Sequence, residues 1–246
     1  MKCLARRISD GALLRLLKSW LEMPIEEDDD KGGKRRSNPA RREKRGTPQG
    51  APISPLLSNL YMRRFLLGWK LRGYGRKLKA HIVNYADDFV ILCRDNAETA
   101  ERLMRSMMRQ LKLTVNDEKT TIKHLPQEAF DFLGYTIGTC YSVKSGKSYI
   151  GTYPSKKKVQ QFTDRLNGMM RRNTLWKSES ELVADLNRRL RGWGNYFSLG
   201  PVSKAYRAVG THTRKRLRQW LRDKHKVPGA GTRKFSDEYL YEELGL

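Results

Sequence analysis

The stretch His81 to Leu92, HIVNYADDFVIL, sets Asp87 and Asp88 side by side between two apolar runs. Adjacent carboxylates repel unless a cation lies between them and some partner, so the chemistry open to them is that of a divalent-metal site. Asp is also a common turn residue, which is the plainer account of any Asp-Asp pair. The flanks narrow the choice. Ile82, Val83 and Tyr85 on one side, and Phe89, Val90, Ile91 and Leu92 on the other, favour half-buried strands over helix. Ala86-Asp87-Asp88 between them is about the length of a tight turn, which predicts a hairpin with both carboxylates at its tip. Such turns usually recruit Gly or Asn for positive φ, and this one has neither.

A second chemically suggestive stretch, RGTPQGAPISPLLSNLYM, runs from Arg45 to Met62. Gly46, Pro48, Gly50, Pro52 and Pro55 make an irregular backbone leading into a helix, which lets a substrate approach closely and offers helix N-terminal amides to anionic groups. Alone this pattern is weak. About 35 residues ahead of the hairpin, it becomes specific.

These residues need elements to hold them. The chain has 246 residues, enough for one large or two modest domains. Asp10 reads as the N-cap of a helix whose apolar face is Leu13, Leu14, Leu16, Leu17, Trp20 and Leu21, ended by Pro24. Glu26 to Arg45 is an acidic block followed by a basic one, expected to be a solvated, mobile loop. Leu56, Leu57, Leu60, Tyr61, Phe65 and Leu66 predict a helix before the hairpin. Ala100, Leu103, Met104, Met107, Met108 and Leu111 predict another after it, with the methionines in the core. From Ser155 to Val227 nineteen Lys or Arg stand against five Asp or Glu. Three helical patterns cross this region: Val159 to Met170, Leu182 to Trp193, and Ala205 to Leu221. They predict a small basic bundle. Tyr153, Trp193, Tyr196, Phe197 and Tyr206 lie among the charges, most of them expected in the core and the rest free to stack on bases.

The formal net charge of +24 would repel itself in a compact fold unless it faces a polyanion, and nucleic acid is the partner it favours. No apolar run is long enough to span a membrane, and the N-terminus lacks a signal-type core, so a cytoplasmic location is expected, with an organelle as the alternative. Cys3, Cys93 and Cys140 are isolated and read as reduced thiols.

The ordered set Thr47-Pro48-Gln49-Gly50 with Ser54-Pro55-Leu56-Leu57, Tyr85-Ala86-Asp87-Asp88, Asn116-Asp117-Glu118-Lys119-Thr120 and Phe132-Leu133-Gly134 closely resembles group II intron reverse transcriptase/maturases. RLRGWGNYF, Arg189 to Phe197, is similar to the maturase domain of that family. The resemblance implies an α+β fold: a partial polymerase palm of antiparallel sheet and helices over residues 1–150, an all-α thumb/maturase bundle over 151–227, and a tail at 228–246. It implies RNA-directed DNA synthesis with Mg²⁺ held by Asp87 and Asp88, and Lys119 near the departing pyrophosphate. Lys119 reads equally well as a surface lysine. Gln49, Gly50, Tyr85 and Ala86 would line the nascent base pair, and Leu133 and Gly134 the primer grip. Intron RNA would lie on the basic bundle at Lys156, Lys157, Lys158, Arg188, Arg189, Arg191, Arg214, Lys215 and Arg216. DNA primer or target and dNTPs are the other implied partners.

In this family one more catalytic aspartate and the finger motifs precede the first helix. Asp10 reads as a cap, and Glu26 to Asp30 as loop, so neither replaces that aspartate. The chain is therefore expected to be a fragment, poorly active in synthesis by itself, with a separate N-terminal segment as a further possible partner. No Cys-x-x-Cys pair or His cluster marks a C-terminal endonuclease. Two other readings stay open: an RNA-binding splicing factor with an idle polymerase site, and a retron or CRISPR-associated reverse transcriptase, against which the GWGNYF bundle argues.

Overall fold

The computed structural model describes residues 1–22, 25–28, 34–37 and 53–246, without the side chains of 2–3, 25–28 and 34–37. These residues form two compact units, 1–122 and 123–246.

In the first unit α1, Gly11–Glu22, begins at Asp10, whose Oδ1 accepts from the amides of Ala12 at 2.7 Å and Leu13 at 3.2 Å. That is the expected cap, and it satisfies two amides the helix leaves unpaired. The charged stretch after it departs from expectation. Instead of loop throughout, β1, Ile25–Asp28, pairs antiparallel with β2, Lys34–Ser37. Their register sets Glu26 opposite Arg36, Glu27 opposite Arg35 and Asp28 opposite Lys34. Apolar alternation does not signal this pairing, because the stretch has none. Glu26 to Asp28 do stand on a strand.

Helix α2, Ser54–Leu71, and helix α3, Ala97–Gln110, frame the hairpin of β3, Ala80–Tyr85, and β4, Asp88–Cys93. Short helical turns at Lys2–Ala5 and Tyr74–Lys77 complete this unit's helical elements among the described residues. Phe65, Trp69, Met104, Met107 and Met108 form a shared core, so the methionines are structural, as expected. Cross-strand pairing puts Ala80, Ile82, Asn84, Phe89, Ile91 and Cys93 on one face of the hairpin. Its apolar members pack on that core. The alternation thus fixes which way every hairpin side chain points.

The second unit begins with a three-stranded antiparallel sheet: β5, Phe130–Phe132, β6, Tyr135–Tyr141, and β7, Ser148–Pro154. Three helices follow, α4 at Lys156–Met169, α5 at Glu179–Tyr196 and α6 at Ser203–Lys224. Ser155 caps α4, and Ser178 caps α5 by accepting from the Glu181 amide at 3.2 Å. Phe162, Leu166, Leu182, Leu186, Leu217 and Leu221 meet in one core, so the three predicted stripes do form a bundle. The α+β expectation holds. The sequence reading put strands up to residue 150 with the palm, whereas here all three strands share a unit with the bundle.

Residues 228–246 were expected as a tail. Phe235 and Leu240 instead join the bundle core, at 2% and 0% exposure. Asp237 accepts from Arg214 at 2.7 Å and from Arg218. The Arg218 hydrogen bond, with the Arg214 charge beside it, holds the Asp237 carboxyl below its ordinary range. Leu240→Ala should therefore destabilise the fold by about 2–5 kcal/mol, read as a lower urea midpoint. A change below about 0.5 kcal/mol would mean that the C-terminal segment is not part of the core.

Candidate functional site

Tyr85 pairs with Asp88, which leaves Ala86 and Asp87 as a two-residue hairpin loop. Ala86 adopts φ 53°, the sign such loops require at their first position, here without glycine. A non-glycine residue held there stores strain that the two paired strands sustain, a feature concentrated at functional turns. Asp87 in the loop and Asp88 at the first position of β4 are both exposed. Neither forms a hydrogen bond or ion pair through its side chain with another described residue. Tyr85, 64% exposed, shares the outward face with Asp88.

Lys119 lies in the same unit on a turn after α3. Its amide donates to Asn116 Oδ1 at 3.2 Å, and its side chain is exposed. Arg105 secures the neighbouring Asp117. Among the described residues no hydrogen bond or ion pair joins Lys119 to the hairpin. Gln49 and Gly50 lie outside the described residues.

In the second unit Leu133 and Gly134 form the two-residue turn between β5 and β6, since Phe132 pairs with Tyr135. Their φ values of 50° and 83° fit a type I′ turn. The expected maturase stretch holds this turn. Tyr196 of α5 donates its hydroxyl to the Leu133 carbonyl at 2.8 Å, while the Tyr135 hydroxyl donates to the Tyr196 carbonyl at 2.6 Å. The Ser155 amide donates to the Gly134 carbonyl at 2.9 Å. A Cβ on Gly134 would meet Lys158 Cγ at 3.2 Å and Phe197 Cζ at 3.3 Å. The resemblance implies a primer grip at Leu133 and Gly134 and does not single out Tyr135 beside them, because a tyrosine in a strand does not show whether its hydroxyl has a partner.

The basic candidates divide by their partners. Lys156, Lys157 and Lys158 are exposed in the first turn of α4. That turn carries no acid, so three cations crowd the positive end of the helix dipole, which favours an anion there. Arg189, Arg191 and Lys215 are exposed. Arg188 is exposed but paired to Asp185 at 2.9 Å. Arg214 is committed to Asp237, and Arg216 donates to the Met170 carbonyl at 3.2 Å, so both brace the bundle. Burial, with the Arg216 charge adding to it, lowers the nearby His212 pKa. Of the aromatics, Phe197 is buried and Trp193 stacks on Phe162 at 5.1 Å, as expected of core residues. Tyr196 remains 57% exposed. The apolar periodicity passed over Arg171, Arg172 and Trp176, whose only sequence signal is an off-period Trp among basic residues.

Residues 4–137 match the family described as reverse transcriptase (RNA-dependent DNA polymerase), more than half of the chain. The chain belongs to that family. Residues 159–239 match the group II intron, maturase-specific domain. Protein YkfC of Escherichia coli K12 is 28% identical over 208 residues, covering 72% of this chain and 50% of the relative. Group II intron-encoded protein LtrA of Lactococcus lactis subsp. cremoris is 25% identical over 237 residues, covering 63% of this chain and 39% of the relative. The chain thus spans half or less of the length of these relatives.

Reverse transcriptases generally use divalent metal ions. Asp87 and Asp88 suit one in donor chemistry, being adjacent, exposed hard-oxygen ligands with no internal cation. Among the described residues no group of three His, Cys, Asp or Glu could enclose an ion. The set therefore fits a metal that completes its shell with phosphate and water, not one held in a protein cage. No described helix is long and apolar enough to cross a membrane.

The tyrosine clasp makes a direct prediction. Tyr196→Phe should cost about 0.5–1.5 kcal/mol in urea unfolding by leaving the Leu133 carbonyl unpaired. Gly134→Ala should cost more than about 1 kcal/mol, because it forces a side chain into positive φ against two neighbours. Wild-type stability in both variants would contradict the clasp.

Proposed function

We propose that the chain supplies the metal-binding palm hairpin and the RNA-binding maturase bundle of a group II intron reverse transcriptase. The observation that carries the reading is the pair of exposed carboxylates on a strained, two-residue hairpin tip. Asp87 is the direct metal ligand and Asp88 its neighbour in the site, with Mg²⁺ as the ion. Mg²⁺ bound there would lower the pKa of the primer 3′-hydroxyl and offset charge on the leaving pyrophosphate. The protein's own share is positional: the paired strands hold both carboxylates at one fixed place. Tyr85 and Ala86, with Gln49 and Gly50, would bound the nascent base pair of template, DNA primer and dNTP. Lys119 would reach the pyrophosphate, and the Leu133-Gly134 turn would support the primer end.

Intron RNA is the proposed partner of the second unit, held through Lys156, Lys157, Lys158, Arg189, Arg191 and Lys215. Arg188, Arg214 and Arg216 contribute less, because intramolecular partners already occupy them. The palm portion runs to about residue 150 by function, although its last strands share a unit with the bundle. A second reading, intron-RNA binding for splicing without synthesis, is favoured by one observation: among the described residues no third ligand joins the two aspartates.

The readings separate in a reconstruction of the relatives' full length. Asp87→Asn should reduce DNA synthesis on a primed RNA template by at least about 100-fold and leave intron-RNA affinity within twofold. Replacing Arg188, Arg189 and Arg191 by Gln should weaken RNA binding and reduce its log–log salt slope by about 1 to 2. Unchanged synthesis in Asp87→Asn would overturn the metal-site assignment. An unchanged salt slope would overturn the RNA-binding surface.

A further inference from the structure

The connection between α4 and α5 carries a cleft of about 230 Å³, of whose lining only Arg216 has a role above. Met170, Arg171, Arg172 and Leu175 line it from the connection, Arg216 and Trp220 from α6. Three arginines, Arg171, Arg172 and Arg216, thus line one small space. Arg171 and Arg172 are exposed and form no ion pair with any described residue. Arg216 has its Nε buried without a hydrogen-bond partner. Asp223, the one acid on the rim, is already paired with Arg222 at 2.7 Å. The cleft is therefore electropositive and selects an anion. Its volume falls below the roughly 300 Å³ of ordinary small-molecule sites, which suits one unit of a longer strand better than a free cofactor.

Trp176 follows the cleft wall directly and is 76% exposed. An indole is seldom left so open, since it carries a large apolar area. Here its backbone is fixed on both sides. Lys224 donates to the carbonyl of Leu175 at 2.8 Å and of Lys177 at 2.7 Å, the two residues flanking it. Trp220 Nε1 donates to Thr174 Oγ1 at 3.1 Å, and Arg216 to the Met170 carbonyl, so the connection is tied to α6 along its length. An exposed aromatic on a tied backbone, with Lys177 Nζ 5.8 Å from its ring centroid and arginines without ion pairs beside it, has the composition of a base-stacking platform with a phosphate seat.

We propose that this site captures an unpaired nucleotide of an RNA strand, its base stacked on Trp176 and its phosphate held by Arg171 and Arg172, with Arg216 at the wall. The inference rests on the reading that the second unit binds RNA, and sharpens it to single-stranded segments at this point. A base inside a duplex cannot offer its face to Trp176, so the site discriminates against paired RNA.

The test uses the 246-residue chain with a fluorescent single-stranded RNA 12-mer and the corresponding duplex, followed by anisotropy across a salt series. Trp176→Ala should weaken single-strand binding on the order of 10-fold or more and leave duplex binding within twofold. Arg171→Gln with Arg172→Gln should lower the single-strand salt slope by about 1.4, while far-ultraviolet circular dichroism stays unchanged. Arg189→Gln with Arg191→Gln separates the two levels. If these substitutions weaken RNA binding but Trp176→Ala changes single-strand affinity by less than twofold, or changes both probes equally, the capture site is wrong and RNA binding by the unit stands. If no charge substitution moves the affinity or its salt dependence, the broader reading fails.

Discussion

Two tyrosine hydroxyls hold the second unit's working parts in one frame. Tyr196, near the end of α5, donates to the carbonyl of Leu133 in the β5–β6 turn, and Tyr135, just after that turn, donates to the carbonyl of Tyr196. The bonds are reciprocal: each tyrosine is anchored through the backbone of the other's segment. A turn with two consecutive positive φ values, one at a leucine, gains from such external support because its own backbone is strained. The tight fit of Gly134 against Lys158 and Phe197 then ties the start of α4 to the same point. The Leu133-Gly134 turn and the helix carrying Arg189 and Arg191 thereby become parts of one packed object.

The first unit applies the same device with other materials. Ala86 takes the positive φ at the hairpin tip, and the paired strands below it rest on the Phe65 and Met107 core. Strain at the tip is offset by burial beneath it, and the result is two exposed carboxylates carried on a paired hairpin. Charge across the second unit follows a complementary division. Arg214, Arg216 and Arg218 are spent on Asp237 and on carbonyls. Arg171, Arg172, Arg189 and Arg191 face solvent without acidic partners among the described residues. The net charge of +24 is what remains after every acid is counted, an excess that favours a polyanion as partner.

Much of this was legible in the sequence where apolar spacing carries the signal. The 3.6-residue stripes predict α3 and the three bundle helices because burial on one face enforces that period, and the β-branched and aromatic runs on either side of Asp87 predict its hairpin. The pairing of Glu26 to Asp28 with Lys34 to Arg36 was not visible, since the stretch carries no apolar alternation. Phe235 and Leu240 looked like a tail because two anchors in a short acidic segment make no period. The internal roles of Arg214 and Arg216 were hidden for a related reason: a cation's letter does not say whether its partner is an aspartate, a carbonyl or a phosphate. Trp176 stood outside every stripe, and its exposure gives it a meaning that its position in the sequence could not.

The most direct measurement of the central claim, that turn, sheet and α5 are one cooperative object, is native-state hydrogen exchange. The Ser155 amide donates to the Gly134 carbonyl, and the Phe197 amide to the Trp193 carbonyl, so each reports one side of the clasp. The structure predicts that both exchange with the same opening free energy as amides in the α5 core, and that added urea lowers both together. A Ser155 amide exchanging orders of magnitude faster than the α5 core, with no urea dependence, would show that the turn opens locally and that the clasp does not hold it.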